Sequence, residues 1–463
     1  MNNKKIVSVL TALLIVTMAV PVFADNHMED KVKVTGEVKS VFQVGNYSDN
    51  SQAAAELWAD DDALDENYQD DPDLFPAEKA FYQEMSFNVA AMVNENINFD
   101  LALDTITNNF AATAGDYGDP IPNPNTDAEK NLSMDTATLT IADDVSTLKI
   151  GDVAGFHADY TFIDDEDRQG MTLNTVAMNS DVSAFVLSDD SDAPAGPADF
   201  YGVTASRDLA NSTVTGKILH ANDFDVDDNG TLVNVTNVVA AIDTNVNENV
   251  TANGKLVFND GEDDSDTFMS AGVSAAMNEA LTVNAKTEMM GEDFAQVQGD
   301  TEGPGTDLFE VSADYVLDDA NTVTGAYTMI TKDGEDEDKN TIEVALENVN
   351  GAYTNNASIA TTANDGYDDD TDVTVIKVGT EYAMDDATLM AELTNQSADS
   401  NNEFTYIKLG YDQQITENIT WNTSLGYIDG TTASDSNNLI DSGVATGADA
   451  DSTDLETSLT VKF

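Results

Sequence analysis

Cysteine is absent from the 463 residues, so neither a disulfide nor a thiolate metal site holds this fold together. Basic residues are scarce as well, because 18 Lys and Arg stand against 87 Asp and Glu and give a formal net charge of −69. A nucleic-acid partner is therefore not expected, since it would need a basic surface. Such a charge repels itself in dilute buffer, but salt at about 1 M shortens the screening length to about 3 Å. We therefore expect the source to be a salt-loving, halophilic bacterium with an outer membrane.

Long apolar runs are also scarce. The longest, from Ile6 to Val20, follows Lys4 and Lys5 and leads to a small residue at Ala24. It is too short and too often interrupted by polar residues to be a spanning helix, which needs about 20 apolar residues. The pattern is typical of a secretory signal peptide, and we predict that residues 1–24 are removed. Any membrane-spanning part of residues 25–463 must then consist of strands.

Catalytic motifs are missing too. The three histidines, His27, His157 and His220, lack metal-ligand spacing, and neither a zinc-protease motif, a nucleophile elbow nor a phosphate-binding loop occurs. We therefore predict that the protein is not an enzyme. One alternative stays open, a barrel hydrolase that pairs His157 or His220 with a serine.

What the chain does contain is a repeated unit: an alternating apolar and polar run, a short polar turn, and a second alternating run. Residues 85–93 and 97–103 form one such pair around Asn94-Glu95. Similar turns recur at Asp143-Asp144, Asn247-Glu248, Asn278-Glu279, Asp318-Asp319, Asp385-Asp386 and Thr416-Glu417. Asn and Asp favour such turns because their side chains can accept hydrogen bonds from the nearby main chain.

Longer acidic or Gly-containing connections separate these hairpins. They span residues 222–230, 259–266, 291–306, 332–339, 362–370 and 428–452, and a loop over about 45–80 precedes them. Short turns at one end and long loops at the other are typical of outer-membrane barrels. We therefore predict an all-β, transmembrane, antiparallel up-and-down barrel of about 16 to 22 strands with acidic external loops. This range of strand numbers is wide because Asp181–Ser188 and Gly351–Thr361 are only weakly predicted to be strands.

The last residues, 455–463, form an amphipathic strand. Leu455, Thr457, Leu459, Val461 and Phe463 share one face, and Glu456, Ser458, Thr460 and Lys462 share the other. In a closed barrel this strand pairs with the first strand, predicted at Lys31–Val44, and leaves no free edge. The ending resembles the C-terminal assembly signal of bacterial outer-membrane β-barrels. The resemblance implies that residues 455–463 are bound by the barrel-assembly machinery.

Aromatic residues lie close to several short turns. Tyr315, Tyr382 and Tyr411 each precede a turn by a few residues, and Phe463 has the equivalent place on the last strand. Amphipathic rings at this level are expected to contact outer-membrane lipid at the membrane surface. The alternative is that tyrosine is simply common in strands.

Two hairpins, residues 315–327 and 382–392, resemble the periplasmic hairpins of Gram-negative general porins, and residues 143–152 resemble the porin strand that leads into the constriction loop. The resemblance implies a trimer of water-filled channels for passive diffusion of small hydrophilic solutes. The chain departs from that family because Arg168 and Arg207 are its only arginines, which leaves the basic side of the porin constriction unassigned. The alternatives are a structural or adhesive barrel, or a secreted acidic β-rich surface protein, without pore activity.

Residues 153–170 follow that strand and are predicted to form the constriction loop. Their charged residues are Asp159, Asp164, Asp165, Glu166, Asp167 and Arg168. If this loop enters the lumen, its carboxylates favour cations, as rings of Asp or Glu do in cation channels. The alternative is an ordinary solvated acidic loop.

A second acidic pattern resembles a calcium-binding loop. Its candidate ligands are Asp223, Asp225, Asp227 and Asn229, followed by Gly230 at the sharp turn. The twelfth position counted from Asp225 is Thr236, however, where such loops use a bidentate Glu. A plain acidic turn is therefore the alternative, and no other cofactor is expected.

Overall fold

The computed structural model describes residues 32–47, 79–108, 133–189, 198–226, 232–261, 265–332, 338–365, 372–398, 402–430 and 452–463. The predicted signal peptide lies outside these residues. The strands are β1 (Val32–Tyr47), β2 (Lys79–Asn94), β3 (Ile97–Asn108), β4 (Ser133–Ala142), β5 (Ser146–Phe156), β6 (Glu166–Ala177), β7 (Ser180–Ser188), β8 (Asp199–Leu209), β9 (Ser212–Val226), β10 (Leu232–Asn247), β11 (Val250–Asp260), β12 (Ser265–Asn278), β13 (Leu281–Met290), β14 (Thr306–Asp318), β15 (Asn321–Lys332), β16 (Asp338–Asn350), β17 (Tyr353–Asp365), β18 (Val373–Ala383), β19 (Ala387–Ala398), β20 (Asn402–Thr416), β21 (Ile419–Gly430) and β22 (Ser452–Lys462).

The strands form a closed antiparallel barrel. All 22 belong to one sheet, and each pairs with its neighbours along the chain. β1 also pairs with β22, from Glu37 opposite Lys462 to Tyr47 opposite Ser452, which closes the sheet. The predicted up-and-down barrel is therefore confirmed, with its strand number at the top of the predicted range. The two weak predicted strands exist as β7 and β17, and β1 runs three residues further than predicted, to Tyr47 instead of Val44.

Alternation along each strand gives the barrel two different faces. On β9, Lys217 and Leu219 face one side and are largely buried, whereas Ile218 faces the other and is 60% exposed. The exposed face is apolar around the barrel, with Ile150, Leu173, Val186, Val238, Ile342, Ile376, Leu393 and Leu409 among its side chains. An exposed apolar surface of this extent is stable in lipid rather than in water. No helix among the described residues is long and apolar enough to cross a membrane.

Side chains cap several of the short turns in the same way. The Asn94 Oδ1 atom accepts a hydrogen bond from the amide of Asn96, two residues later, at 2.9 Å. Asn247, Asn278 and Asp318 make the same bond to the second residue after them, at 2.8 to 2.9 Å. This is the local bonding expected from Asn and Asp at these positions.

The seam between β1 and β22 ends in a close fit between a glycine and an aromatic ring. The amide of Gly36 donates to the carbonyl of Phe463 at 3.0 Å, and the amide of Phe463 donates back to the carbonyl of Gly36 at the same distance. The Phe463 ring then lies over Gly36 and edge-on to Phe87, with ring centroids 5.9 Å apart. A Cβ atom on residue 36 would be 2.6 Å from Cζ of this ring, so only glycine leaves room for it.

Candidate functional site

The connection between β5 and β6, residues 157–165, lies on the inner face of the barrel. Its main chain makes a compact turn in which the amide of Ile163 donates to the carbonyl of Asp159 at 3.0 Å. Its residues contact side chains of six neighbouring strands, β8 to β13. Strands lie about 4.8 Å apart, so a compact loop reaches six of them only from the concave side. The loop is shorter than predicted, because β5 extends to Phe156 and β6 begins at Glu166.

Asp159 anchors this loop to the barrel wall. Its carboxylate is 2% exposed, with Oδ2 2.9 Å from Nζ of Lys217 and Oδ1 paired with Nζ of Lys255. The hydroxyl of Thr161 also donates to Oδ1, at 2.8 Å. Burial alone would raise the pKa of Asp159, but the two ammonium groups outweigh it and lower this pKa to about 2. The carboxylate is therefore bound within the protein rather than presented to a solute.

Tyr160 fixes the next position of the loop. Its hydroxyl donates to Oε1 of Glu288 at 2.8 Å, and Nζ of Lys255 lies 3.5 Å from the centre of its ring. Burial, which is the main cause, raises the pKa of Tyr160 above its ordinary value. The hydroxyl therefore stays protonated to a higher pH than an ordinary tyrosine, and it donates to Glu288.

The other predicted constriction carboxylates have different surroundings. Asp164 pairs with the imidazole of His157 within the loop. Oδ1 of Asp167 accepts a hydrogen bond from the amide of Gly155 at 2.7 Å, where β5 ends and β6 begins. Asp165 has a left-handed main chain, with φ of 51°, at the start of the return to β6. These residues lie near one another but do not form a ring of free carboxylates.

Arg168 and Glu166 belong to β6, next to this loop. The guanidinium of Arg168 lies 3.4 Å from Oε2 of Glu166 and 5.3 Å from the centre of the Phe200 ring, and it donates to the side-chain carbonyl of Gln298. Arg168 is 6% exposed, so it is a buried connector rather than a cation in the pathway.

Gln298 belongs to a second inward segment, residues 291–305 between β13 and β14. The amide of Gln298 donates to the carbonyl of Phe162 at 2.8 Å, and the amide of Asp164 donates to the carbonyl of Gln298 at 3.0 Å. Phe294 is 2% exposed and packs edge-on against Phe268 of β12. We expected this connection to be an external loop, but it packs inward against the first segment. We call residues 157–165 and 291–305 together the inner plug.

Lysines supply the basic side chains of the lumen. Strand alternation and register identify the lysines that lie on the inward face, the face that contacts the plug. Every strand lysine whose side chain the structure describes lies on this face. These residues are Lys33, Lys39, Lys149, Lys217, Lys255, Lys286, Lys332, Lys339, Lys377, Lys408 and Lys462. The expectation of a missing basic side rested on the arginines alone. The sequence signal for these inward basic side chains is the place of each lysine on the polar face of its alternating run.

A polar cavity of about 710 Å³ lies between the inner plug and the wall formed by β9 to β14. The wall contributes Asp243, Lys286 and Glu310, and the plug contributes His157 and Asp300. Nζ of Lys286 is 3.0 Å from Glu288, whereas no ion pair of Asp243, Asp300 or Glu310 occurs within the described ranges. The cavity is thus a hydrophilic space whose unpaired charges are negative.

The predicted interface aromatics all lie on the outward face near short turns. Tyr315 is 46% exposed and Phe463 55%. Tyr382 and Tyr411 each have an aromatic neighbour on an adjacent strand. Tyr382 packs against Tyr353 with tilted rings whose centroids are 4.5 Å apart, and Tyr411 meets Trp421 edge-on at 5.6 Å.

The calcium-loop pattern starts on a strand. The main chain of Asp223 and Asp225 continues β9, and Asp225 pairs with Val233 of β10. Asp227 and Asn229 lie outside the described residues. Where the structure describes the chain, it contains no group of three or more His, Asp or Glu side chains placed to hold a metal ion. His220, the second histidine considered above for a hydrolase, lies on β9, and its Nδ1 atom is 2.9 Å from the hydroxyl of Thr236.

Comparisons with known proteins identify the fold. No protein-family model and no curated protein sequence matches this chain. Its fold is similar to that of the siderophore receptor PirA from Acinetobacter baumannii, with a TM-score of 0.57 and 10% identity over 93% of this chain and 80% of that one. A variant of the ferric enterobactin receptor PfeA from Pseudomonas aeruginosa gives 0.56 and 10%, and PirA from Pseudomonas aeruginosa gives 0.51 and 9%, with the same coverage. These likenesses show that the fold is that of outer-membrane β-barrels. The closed barrel and its apolar outer wall place the chain in the outer membrane.

Proposed function

We propose that this chain is a porin, a water-filled channel through which small hydrophilic solutes diffuse passively across the outer membrane. The observation that carries the proposal is the hydrophilic cavity of about 710 Å³ inside the barrel, beside the inner plug. The apolar wall faces lipid, so a polar and charged interior is the part of the barrel suited to water and ions.

We further propose that the channel favours cations. Near the plug, Lys217 and Lys255 share the single carboxylate of Asp159, and Lys286 is paired with Glu288, so one positive charge is left in excess among these five groups. The carboxylates of Asp243, Asp300 and Glu310 line the same cavity without such partners. Cations near these carboxylates are stabilised and anions are repelled, as in other acid-lined pores.

Planar-bilayer recording of the purified protein tests both statements. We expect stepwise conductance and a reversal potential on the cation-selective side in a KCl gradient. The double change Asp243→Asn and Glu310→Gln should lower the cation-to-anion permeability ratio by about twofold or more. A second variant combines Asp164→Asn, Asp165→Asn, Glu166→Gln and Asp167→Asn, the carboxylates singled out from the sequence. A smaller effect is expected because none of the four lines the cavity. Unchanged selectivity in both variants would contradict the proposed cation preference.

The alternatives predict other results in the same preparation. A structural or adhesive barrel would enter vesicles and remain folded but would conduct no ions. A secreted surface protein would stay in solution without detergent and would not bind vesicles. We also propose lipid contact by Tyr315, Tyr382, Tyr411 and Phe463 and assembly as a trimer, the latter by resemblance to general porins; chemical cross-linking in detergent tests the trimer.

A further inference from the structure

The two segments of the inner plug are held together by a pair of buried amides on the barrel wall. Asn259 of β11 is 2% exposed and Asn237 of β10 is fully buried. Nδ2 of Asn259 donates to Oδ1 of Asn237 at 2.7 Å, and Nδ2 of Asn237 lies 3.5 Å from the carbonyl of Thr161 in the first segment. The amide pair therefore connects the wall to residues 157–165.

Asn259 binds the second segment at the same time. Its Oδ1 accepts a hydrogen bond from the amide of Ala295 at 2.9 Å, and its Nδ2 donates to the carbonyl of Ala295 at 3.0 Å. One side chain thus satisfies both main-chain groups of Ala295, as a neighbouring strand would. An apolar residue at position 259 would leave these groups buried without partners, which is costly.

The two segments also contact each other directly. Ile163 and Gln298 form a parallel bridge, and a Cβ atom on Gly299 would lie 2.5 Å from the carbonyl of Tyr160. The second segment therefore approaches the first more closely than any residue other than glycine allows. Phe162 and Phe294 fill the space between the segments and the wall, at 0% and 2% exposure.

We infer that residues 291–305 are a second pore-shaping segment, and that Asn259 is the positioning residue that couples it to residues 157–165 as one rigid unit. The role in shaping a pore rests on the proposed channel function, whereas the coupling itself does not. Part of the charge that lines the pathway would then come from a segment far from the first loop in sequence, because Asp300 of this segment faces the same cavity as His157.

Hydrogen exchange read by mass spectrometry on the folded, detergent-solubilised barrel tests the coupling without any need for conductance. In Asn259→Leu, which has a similar side-chain volume, amides of both segments should exchange about tenfold faster or more, while strand amides keep the wild-type rate. Asn284→Leu is the matched control, since Asn284 is an inward amide on β13 that bonds only Ser312 of β14 among the described residues. Acceleration restricted to residues 291–305, no acceleration, or equal acceleration in the control would overturn the inference.

A cross-link provides a second test that needs no destabilised variant. The chain has no cysteine, so Ile163→Cys with Gln298→Cys introduces the only thiols. Bridge partners in neighbouring strands lie at about 5 Å, within reach of a disulfide. We expect this pair to oxidise in the folded barrel, and Ile163→Cys with Asn284→Cys to remain reduced. Failure of the first pair to oxidise would contradict the coupling, and a coupled plug in a protein without conductance would refute only the proposed channel.

The positioning role also predicts a change in current that a general loss of stability would not cause. Asn259→Leu removes no charge, so the reversal potential should stay near its wild-type value while fluctuations of the open-channel current increase severalfold. An open-channel current as quiet as that of the wild type, in a barrel whose plug amides exchange faster, would show that residues 291–305 do not shape the pathway.

Discussion

Replacing Gly36 by alanine should destabilise the closure of the barrel far more than the same change at another lipid-facing glycine. The added Cβ atom would lie 2.6 Å from Cζ of Phe463 and 2.7 Å from the carbonyl oxygen of Ser86. The ring is 55% exposed and can swing outward, but it then loses its contact with Phe87, which is worth about 1 kcal/mol. The carbonyl belongs to the main chain of β2 and can move only if the strands shift, which costs about 1–3 kcal/mol.

The two contributions together predict that Gly36→Ala lowers the free energy of unfolding by about 2–4 kcal/mol. Gly325→Ala is the control, because a Cβ atom there would have no heavy atom within 4 Å. That change should be neutral or slightly stabilising, within about 0.5 kcal/mol, since alanine restricts the unfolded chain more than glycine does. Urea titration of the barrel refolded into lipid vesicles, followed by tryptophan fluorescence, measures both.

A double variant separates the ring from the main chain. Phe463→Ala removes the ring, so its combination with Gly36→Ala should cost about 1 kcal/mol less than the sum of the single changes. The clash with Ser86 remains in the double variant, and only part of the loss is recovered. Equal stabilities of Gly36→Ala and Gly325→Ala would refute this account of how the last residue is seated.

Two further predictions concern charge. The pKa of Asp159 is lowered to about 2, so its ion pairs should stabilise the inner plug by about 2 kcal/mol above about pH 4 and lose that contribution as the pH falls through about 2. Hydrogen exchange of residues 157–165 should accelerate over this pH range. In Asp159→Asn, this exchange should already be fast at neutral pH. The net charge of −69 predicts that the urea midpoint of the barrel rises between about 0.1 M and about 3 M NaCl, and a midpoint that falls would contradict the expected halophilic origin.

The barrel could be predicted from the sequence because its strands follow local rules. Alternation along residues 85–93 decides which side chains face lipid, and the Asn278 side chain caps its own turn two residues later. Both signals operate within a few residues. The pairing of the first and last strands is the one distant feature that could be predicted, because a sheet with free edges is not stable in lipid.

An inward loop over residues 153–170 is predicted only through the resemblance to porins, and the way the inner plug is held could not be predicted because its contacts join residues distant in the sequence. Ala295 binds Asn259, 36 residues earlier, and the carbonyl of Ala158 binds Lys217, 59 residues later. Nothing local distinguishes these polar side chains from solvent-exposed ones. Phe294 is the local signal for an inward segment, because a large apolar ring is not expected in a fully solvent-exposed acidic loop.

The inward placement of the lysines leads to a last prediction about the outer wall. On the described strands, the lysine side chains face the lumen, and Arg207 faces outward only near a short turn, where lipid contact costs little. Ile218 lies near the middle of β9 and is 60% exposed on the lipid side, so Ile218→Lys places an ammonium group deep in the apolar wall. This change should cost about 2–4 kcal/mol of stability in vesicles.

The inward control for that experiment is Ala326→Lys. Ala326 lies near the middle of β15, and its cross-strand partner is Glu343 of β16, so the new ammonium group is hydrated and opposite a carboxylate. The same lysine should therefore cost less than about 1 kcal/mol there. If the two variants were equally stable in vesicles of normal thickness, then the face that carries Ile218 would not be in contact with lipid, and the distribution of lysines would need a cause other than the membrane.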